Sequence, residues 1–253
     1  MKFVHILPSK YINNEEFQTS DTILILAHLL KNKEYLKECK KFKGIKILDN
    51  SFYEMRINPY TVEELIKLAK KSNSQIICLP DTKYETKEEF EAKHYTMADE
   101  VKRAGFKVMA VVTSDENFKT ELREFKILNS IRDIDIISIP YVLRDGMDQY
   151  RRWKFLDMIE QEVQIDNINK EIHLFGCNSF YNLKLERRSW VNSVDGTMPF
   201  KEGYFRQPLP CSIEQETKRP EDYFNIENLD EEQVKIIKHN IKVIKEICEG
   251  EEW

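Results

Sequence analysis

Four positions each stand directly behind a short apolar run: Asp49 with Asn50 after Ile45–Leu48, Asp81 after Gln75–Pro80, Asn178 after Ile172–Gly176, and Asp195 after Val191–Val194. Two carboxylates brought to one face are the equipment of glycosyl chemistry. One attacks the sugar carbon through an oxocarbenium-like transition state while the other moves the proton. Asp49 is followed by Asn50, Ser51, Phe52, Tyr53 and Glu54, which place two aromatic rings and a further carboxylate beside it. That composition suits the gripping of a planar ring. Each aspartate also fits a plainer reading. Asp49-Asn50-Ser51 and Asp195-Gly196 are ordinary turn chemistry, and Asp81 can simply precede the helix expected near Lys87.

For these residues to meet, the apolar runs must be neighbouring strands of one sheet. The runs Phe3–Leu7, Ile45–Leu48, Gln75–Leu79, Lys107–Val112, Ile134–Ile139, Ile172–Phe175 and Val191–Val194 alternate with longer charged segments of helical period. Their continuity is that of strands buried on both faces. Thr61 caps a helix that opens with Val62, Glu63 and Glu64. Further helices are expected over Lys33–Lys41, Lys87–Ala104 stopped by Gly105, Glu116–Leu128, Met147–Glu160 and Glu231–Ile247, while Asp21–Leu30 reads either way. Seven strands in near-regular alternation, with no Gly-x-Gly-x-x-Gly behind any of them, predict a single (β/α)8 barrel of TIM type rather than a doubly wound sheet. Its reacting groups then come from the carboxyl ends of the strands.

The 253 residues match one such barrel, which makes residues 1–253 a single domain. Within it, residues 203–228 read as an irregular loop or small appended element, and 230–249 as a carboxyl-terminal helix. Hydrophobic residues at 41% supply a core and charged residues at 33% a solvated exterior. A net charge of −5 requires any nucleic-acid partner to be held by a local basic patch. Five scattered cysteines without a Cys-x-x-Cys pair point to reduced thiols in a cytoplasm, with no disulfide. No apolar stretch is long enough to span a membrane. Among the histidines, His5 and His173 read as hydrogen-bonded core residues, His28 as a possible pocket edge, and His94 and His239 as helix surface.

The run Ile47-Leu48-Asp49-Asn50-Ser51-Phe52-Tyr53-Glu54 resembles the Asp-Ser-Gly-Gly-Phe-Gln motif of tRNA-guanine transglycosylases, and more closely the Leu-Asp-Asn-Gly-x-x-Glu form of their phage-encoded relatives. In the same chain order, Leu79-Pro80-Asp81 resembles the family's base-recognising aspartate segment. His173-Leu174-Phe175-Gly176 resembles its Leu-Met-Gly-Val-Gly strand end. Ser193-Val194-Asp195-Gly196-Thr197-Met198-Pro199 resembles the Phe-Asp-Cys-Val-x-Pro segment that holds the nucleophile. The shortness of the chain is similar to that of phage enzymes that insert 7-deazaguanines into DNA.

The resemblance implies base exchange, with guanine in DNA replaced by a 7-deazaguanine such as 7-cyano-7-deazaguanine. Asp195 would be the nucleophile at C1′ and Asp49 the proton carrier. Asp81 would read the purine's amino and imino edge, Phe52 or Tyr53 would stack on it, and Asn50, Gly176 and Asn178 would complete the base pocket. A base must leave its stack to reach such a pocket. Lys184, Arg187 and Arg188 are the expected nucleic-acid contacts at the mouth, with Arg144 and Arg206 as further candidates and Arg151 and Arg152 read as a solvated helix face. Only Cys211, Cys248 and His239 follow Asp195, without metal-ligand spacing, so no zinc and no other cofactor is expected. A phage origin would put the protein in the host cytoplasm. The rival readings are a tRNA-guanine transglycosylase, a nucleosidase or glycoside hydrolase using the same carboxylates, and a non-catalytic nucleic-acid-binding barrel.

Overall fold

A computed structural model describes residues 1–55, 60–81, 86–112, 117–141, 151–177, 179–212 and 217–250, with only the backbone of Tyr53. Eight parallel strands close into a barrel in sequence order: β1 (Lys2–His5), β2 (Thr22–Leu26), β3 (Ile45–Asp49), β4 (Ile76–Cys78), β5 (Lys107–Val111), β6 (Ile136–Pro140), β7 (Glu171–Phe175) and β8 (Ser193–Gly196). The last strand closes on the first, with Val4 opposite Asp195 and His5 opposite Gly196. The chain is a (β/α)8 barrel.

The eighth strand is β2, which comes from the segment that the sequence left open. Thr22-Ile23-Leu24-Ile25-Leu26 is buried at every position, so it lacks the alternation that separates strand from buried helix. Its β-branched residues favour the strand, and a 3-10 helix, Ala27–Lys31, takes over after it. The strand ends also differ in a way that matters. Asp49 is the last residue of β3, and Asp195 lies within β8, because pairing with neighbouring strands extends each past its apolar run.

The described helices are α1 (Lys33–Lys41), α2 (Phe52–Met55), α3 (Val62–Ser72), α4 (Lys87–Arg103), α5 (Phe118–Ser130), α6 (Arg151–Glu162), α7 (Phe180–Glu186), α8 (Met198–Tyr204) and α9 (Glu231–Glu249). Their starts follow local capping chemistry. Thr61 and Glu64 form a reciprocal capping box for α3, and Asp230 with Gln233 does the same for α9. Asn117 rather than Glu116 opens α5, by accepting from the Lys119 amide. Residues 147–150 of the helix expected from Met147 lie outside the described residues.

Two apolar layers hold the barrel. Alternate strand residues, among them Val4, Leu24, Ile47, Ile76, Met109 and Ile136, fill its interior, and the opposite set packs beneath the helices. The same alternation turns Asp49, His173 and Asp195 inward at the carboxyl end. Beyond α8 the chain folds back over the mouth: the Tyr223 hydroxyl donates to the Ile6 carbonyl at 2.7 Å, Ser9 donates to the Phe224 carbonyl at 2.8 Å, and Phe224 packs on the interior cluster. Within 203–228, Gly203 and Tyr204 finish α8 and Tyr223–Asn225 form a 3-10 helix. Among the described residues no helix is long and apolar enough to cross a membrane.

Candidate active site at the carboxyl end of the barrel

Asp195 is 3% exposed and tightly held. One carboxylate oxygen, Oδ1, accepts from His173 Nε2 at 3.0 Å and from the Gly176 amide at 3.0 Å. Among the described residues Oδ2 has no hydrogen-bond partner. An ionised carboxylate only accepts, so the pairing puts the ring proton of His173 on Nε2. In the neutral ring Nδ1 is then left to accept from Ser193 Oγ, 2.8 Å away. The Gly176 amide is aimed at Asp195 by a left-handed turn, φ +73°, that glycine adopts without strain.

The turn at Gly176 is itself clamped. The Arg152 guanidinium donates to the Phe175 carbonyl at 2.5 Å and to the Gly176 carbonyl at 2.7 Å, lies over the Tyr141 ring, and forms a buried ion pair with Glu186 of α7 at 2.6 Å. Arg152 is 4% exposed, which corrects its reading as a solvated helix face. Arg151 is likewise paired, with Glu121 of α5. The signal for Arg152 was its spacing, since Phe155, Leu156 and Ile159 follow at i+3, i+4 and i+7 on the face that α6 buries.

Across the barrel, Asp49 Oδ2 accepts from the Ser51 amide at 2.9 Å. Ser51 is fully buried with φ +64°, the left-handed region that glycine prefers, and its hydroxyl accepts from the His28 amide at 3.2 Å. Asn50 donates to the Leu79 carbonyl at 2.7 Å and accepts from the Phe52 amide at 2.9 Å, tying the end of β3 to the end of β4, where Asp81 stands. The Phe52 ring is 40% exposed.

Burial pushes the Asp49 carboxyl well above the ordinary range, and Glu54, Asp195 and Asp81 add to the shift while the Ser51 amide opposes it. Burial also lifts Asp81, to about 6, against a hydrogen bond from Asn50. The mouth is therefore rich in carboxylates. Arg219 faces Glu54 at 3.4 Å and lies over the Phe224 ring; His28 also faces Glu54, and burial lowers its pKa and so favours its neutral form. Among the described residues, Glu54 Oε2 and His28 Nδ1 are buried without partners. Among the described residues no group of three or more His, Cys, Asp or Glu side chains is arranged to hold a metal ion.

The structure thus brings together Asp49, Asn50, Asp81, Gly176 and Asp195, with Phe52 at the rim. Asn178, Arg144 and the side chain of Tyr53 lie outside the described residues. Arg187 and Arg188 were expected at the mouth, and their placement is corrected. They lie in the return from α7 to β8, hence at the amino end of the strands, where such returns must run. There Arg187 donates to the Ile247 carbonyl of α9, and Arg188 pairs with Asp157 and Glu160 of α6. Lys184 is exposed on α7, and Arg206 pairs with Asp230 and Glu232 at the start of α9. His173 is a hydrogen-bonded barrel histidine, as expected, but its partner is the proposed nucleophile. His5 Nδ1 donates to the Phe17 carbonyl, outside the strand ring. His94 is 2% exposed and donates to the Phe90 carbonyl, which corrects its reading as helix surface, whereas His239 is exposed on α9, as expected, and donates to the Leu209 carbonyl. Comparison of the chain with protein-family models and with curated proteins finds no match.

Proposed function

We propose that the protein is a base-exchange pentosyltransferase that replaces guanine in a polynucleotide, DNA in preference to tRNA, with a 7-deazaguanine. The observation that carries this reading is the asymmetry of the two aspartates. Among the described residues Asp195 is held through Oδ1 alone, with Oδ2 free of partners there, the arrangement of a nucleophile. Asp49, in the same mouth, has its carboxyl raised by burial first and by the neighbouring carboxylates second, which favours its protonated form, the arrangement of a general acid. The left-handed Ser51 adds support, because it stands where the resembled Leu-Asp-Asn-Gly-x-x-Glu motif has its glycine, and Glu54 stands at that motif's glutamate.

In this mechanism Asp195 Oδ2 bonds to C1′ as the bond from C1′ to guanine N9 breaks, and Asp49 gives its proton to the departing base. The incoming 7-deazaguanine then loses its N9 proton to Asp49, N9 bonds to C1′, and Oδ2 is released. Two substitutions on one carbon retain its configuration. Ionised Asp81 accepts from the amino and imino N–H groups of the purine, and Phe52 supplies an exposed ring for stacking. Several carboxylates around one pocket suit a ligand edge made of N–H donors.

The test is to incubate the protein with guanine-containing single-stranded DNA and 7-cyano-7-deazaguanine, then digest the DNA and weigh its nucleosides. Exchange in the native protein and its loss in Asp195→Ala, with the fold intact by circular dichroism, is the expected result. Abasic sugar in place of exchanged base would assign a hydrolase. DNA binding without either product would assign a non-catalytic barrel.

A further inference from the structure

The arginines at the amino end of the strands do not face the mouth, so a polynucleotide substrate must be held elsewhere. A groove of about 790 Å³ runs along the outer surface between α5 and α6, with the first turn of α4 at its upper end. Lys87, Lys119, Arg123, Lys126 and Lys154 line it. Of these, Lys87, Lys119, Arg123 and Lys126 are exposed, and their side chains make no ion pair or hydrogen bond among the described residues. The carboxylates in its lining are Glu91, Asp157 and Glu162, and Asp157 is already paired with Arg188. In a chain of net charge −5 this is a local excess of uncommitted positive charge.

Its geometry suits a strand. Lys119, Arg123 and Lys126 lie at i, i+4 and i+7 on α5, one face of the helix, with rises of about 6 Å and about 4.5 Å between them. Lys87 and Lys119 sit in the first turns of α4 and α5, which begin at the mouth because β4 and β5 end there. The row of cations therefore starts beside the site and leads away from it over the barrel wall.

We infer that this groove holds the sugar–phosphate backbone of a single-stranded polynucleotide running out from the mouth. The inference rests on the polynucleotide reading of the site, and adds where the strand lies. Contacts to phosphate position a strand without reading its sequence, which leaves base selection to the mouth.

The experiment compares the native protein with a triple variant, Lys119→Gln, Arg123→Gln and Lys126→Gln, binding a fluorescent 20-nucleotide single strand over a range of salt. Three lost phosphate contacts should lower the slope of log K against log salt by about 2, and weaken binding about 100-fold at 0.1 M salt. Exchange on a guanine-containing trinucleotide, too short to span the groove, should keep its rate, and unchanged circular dichroism should confirm the fold. An unchanged slope in the variant, or a native protein that does not bind the strand, would overturn the inference. Lost strand affinity in the variant, with no exchange by the native protein on any substrate, would leave the groove assignment standing and remove the exchange reading. If the triple variant instead loses only affinity for an acidic protein while strand binding persists, the groove belongs to that class of partner and the inference fails.

Discussion

At the scale of single residues, the proposed mechanism separates groups that react from groups that aim them. His173 and the Gly176 amide both act on Asp195 Oδ1, so neither need touch the substrate. His173→Phe should lower kcat by roughly 10²-fold, the order expected when one aligned donor is removed, while KM for the free base stays within about twofold. A variant that loses thermal stability but keeps kcat would show that the histidine is only structural. Asp81 offers a pH test. Its carboxyl is raised to about 6 in the folded chain from an ordinary 3.8, so the native state holds a proton that the unfolded state has released between those values. Stability from this group is therefore full below about pH 4 and declines as pH rises to about 6. Asp81→Asn should abolish that decline, stabilising the fold at pH 7 by about 1 to 3 kcal/mol and not at pH 3.5, as followed by urea unfolding. Base recognition should suffer in the same variant, and native kcat/KM should fall as pH drops through about 6. Asp49, Asp81 and Asp195 were legible in the sequence because each ends an apolar run. His173's link to Asp195 was not, since it depends on β7 and β8 being paired with His173 opposite Ser193, a register that spacing does not report.

At the scale of elements, the end of β7 is built by α6 and α7 rather than by the strand itself. Arg152 reaches from α6 to two carbonyls of that strand end and to Glu186 of α7. Arg152→Met strands a buried carboxylate and should cost about 3 to 5 kcal/mol of stability, whereas the double variant Arg152→Met with Glu186→Leu should cost less, because no unpaired charge remains. Equal losses in the two variants, measured by urea unfolding, would mean that the carbonyl contacts and not the ion pair carry the clamp. The same elements show why charge was harder to place than carboxylates. Arg187 and Arg188 lie between two site segments in sequence, yet the chain must descend the barrel wall between β7 and β8, which carries them to the far end. β2 was ambiguous for a related reason, because a strand buried on both faces has no periodicity to distinguish it from a buried helix.

At the scale of the whole molecule, closure of the barrel by β2 and by β8 on β1 turns scattered strand ends into one carboxylate-rich mouth, crossed by the segment that carries Arg219 and Phe224. The (β/α)8 architecture was readable from the alternation of apolar runs and helical segments. The chemistry proposed for the mouth rests on two strands, β3 and β8, separated in the ring by β1 and β2, presenting Asp49 and Asp195 inward together. The account's central claim is that Asp195 becomes covalently joined to the sugar during exchange. Its most direct test is mass spectrometry of peptides from protein quenched in acid while turning over guanine-containing single-stranded DNA with 7-cyano-7-deazaguanine. A nucleotide-derived adduct on the peptide bearing Asp195, absent from Asp195→Asn, is the predicted result; steady exchange of base with no adduct on that peptide, or undiminished exchange by Asp195→Asn, would contradict it.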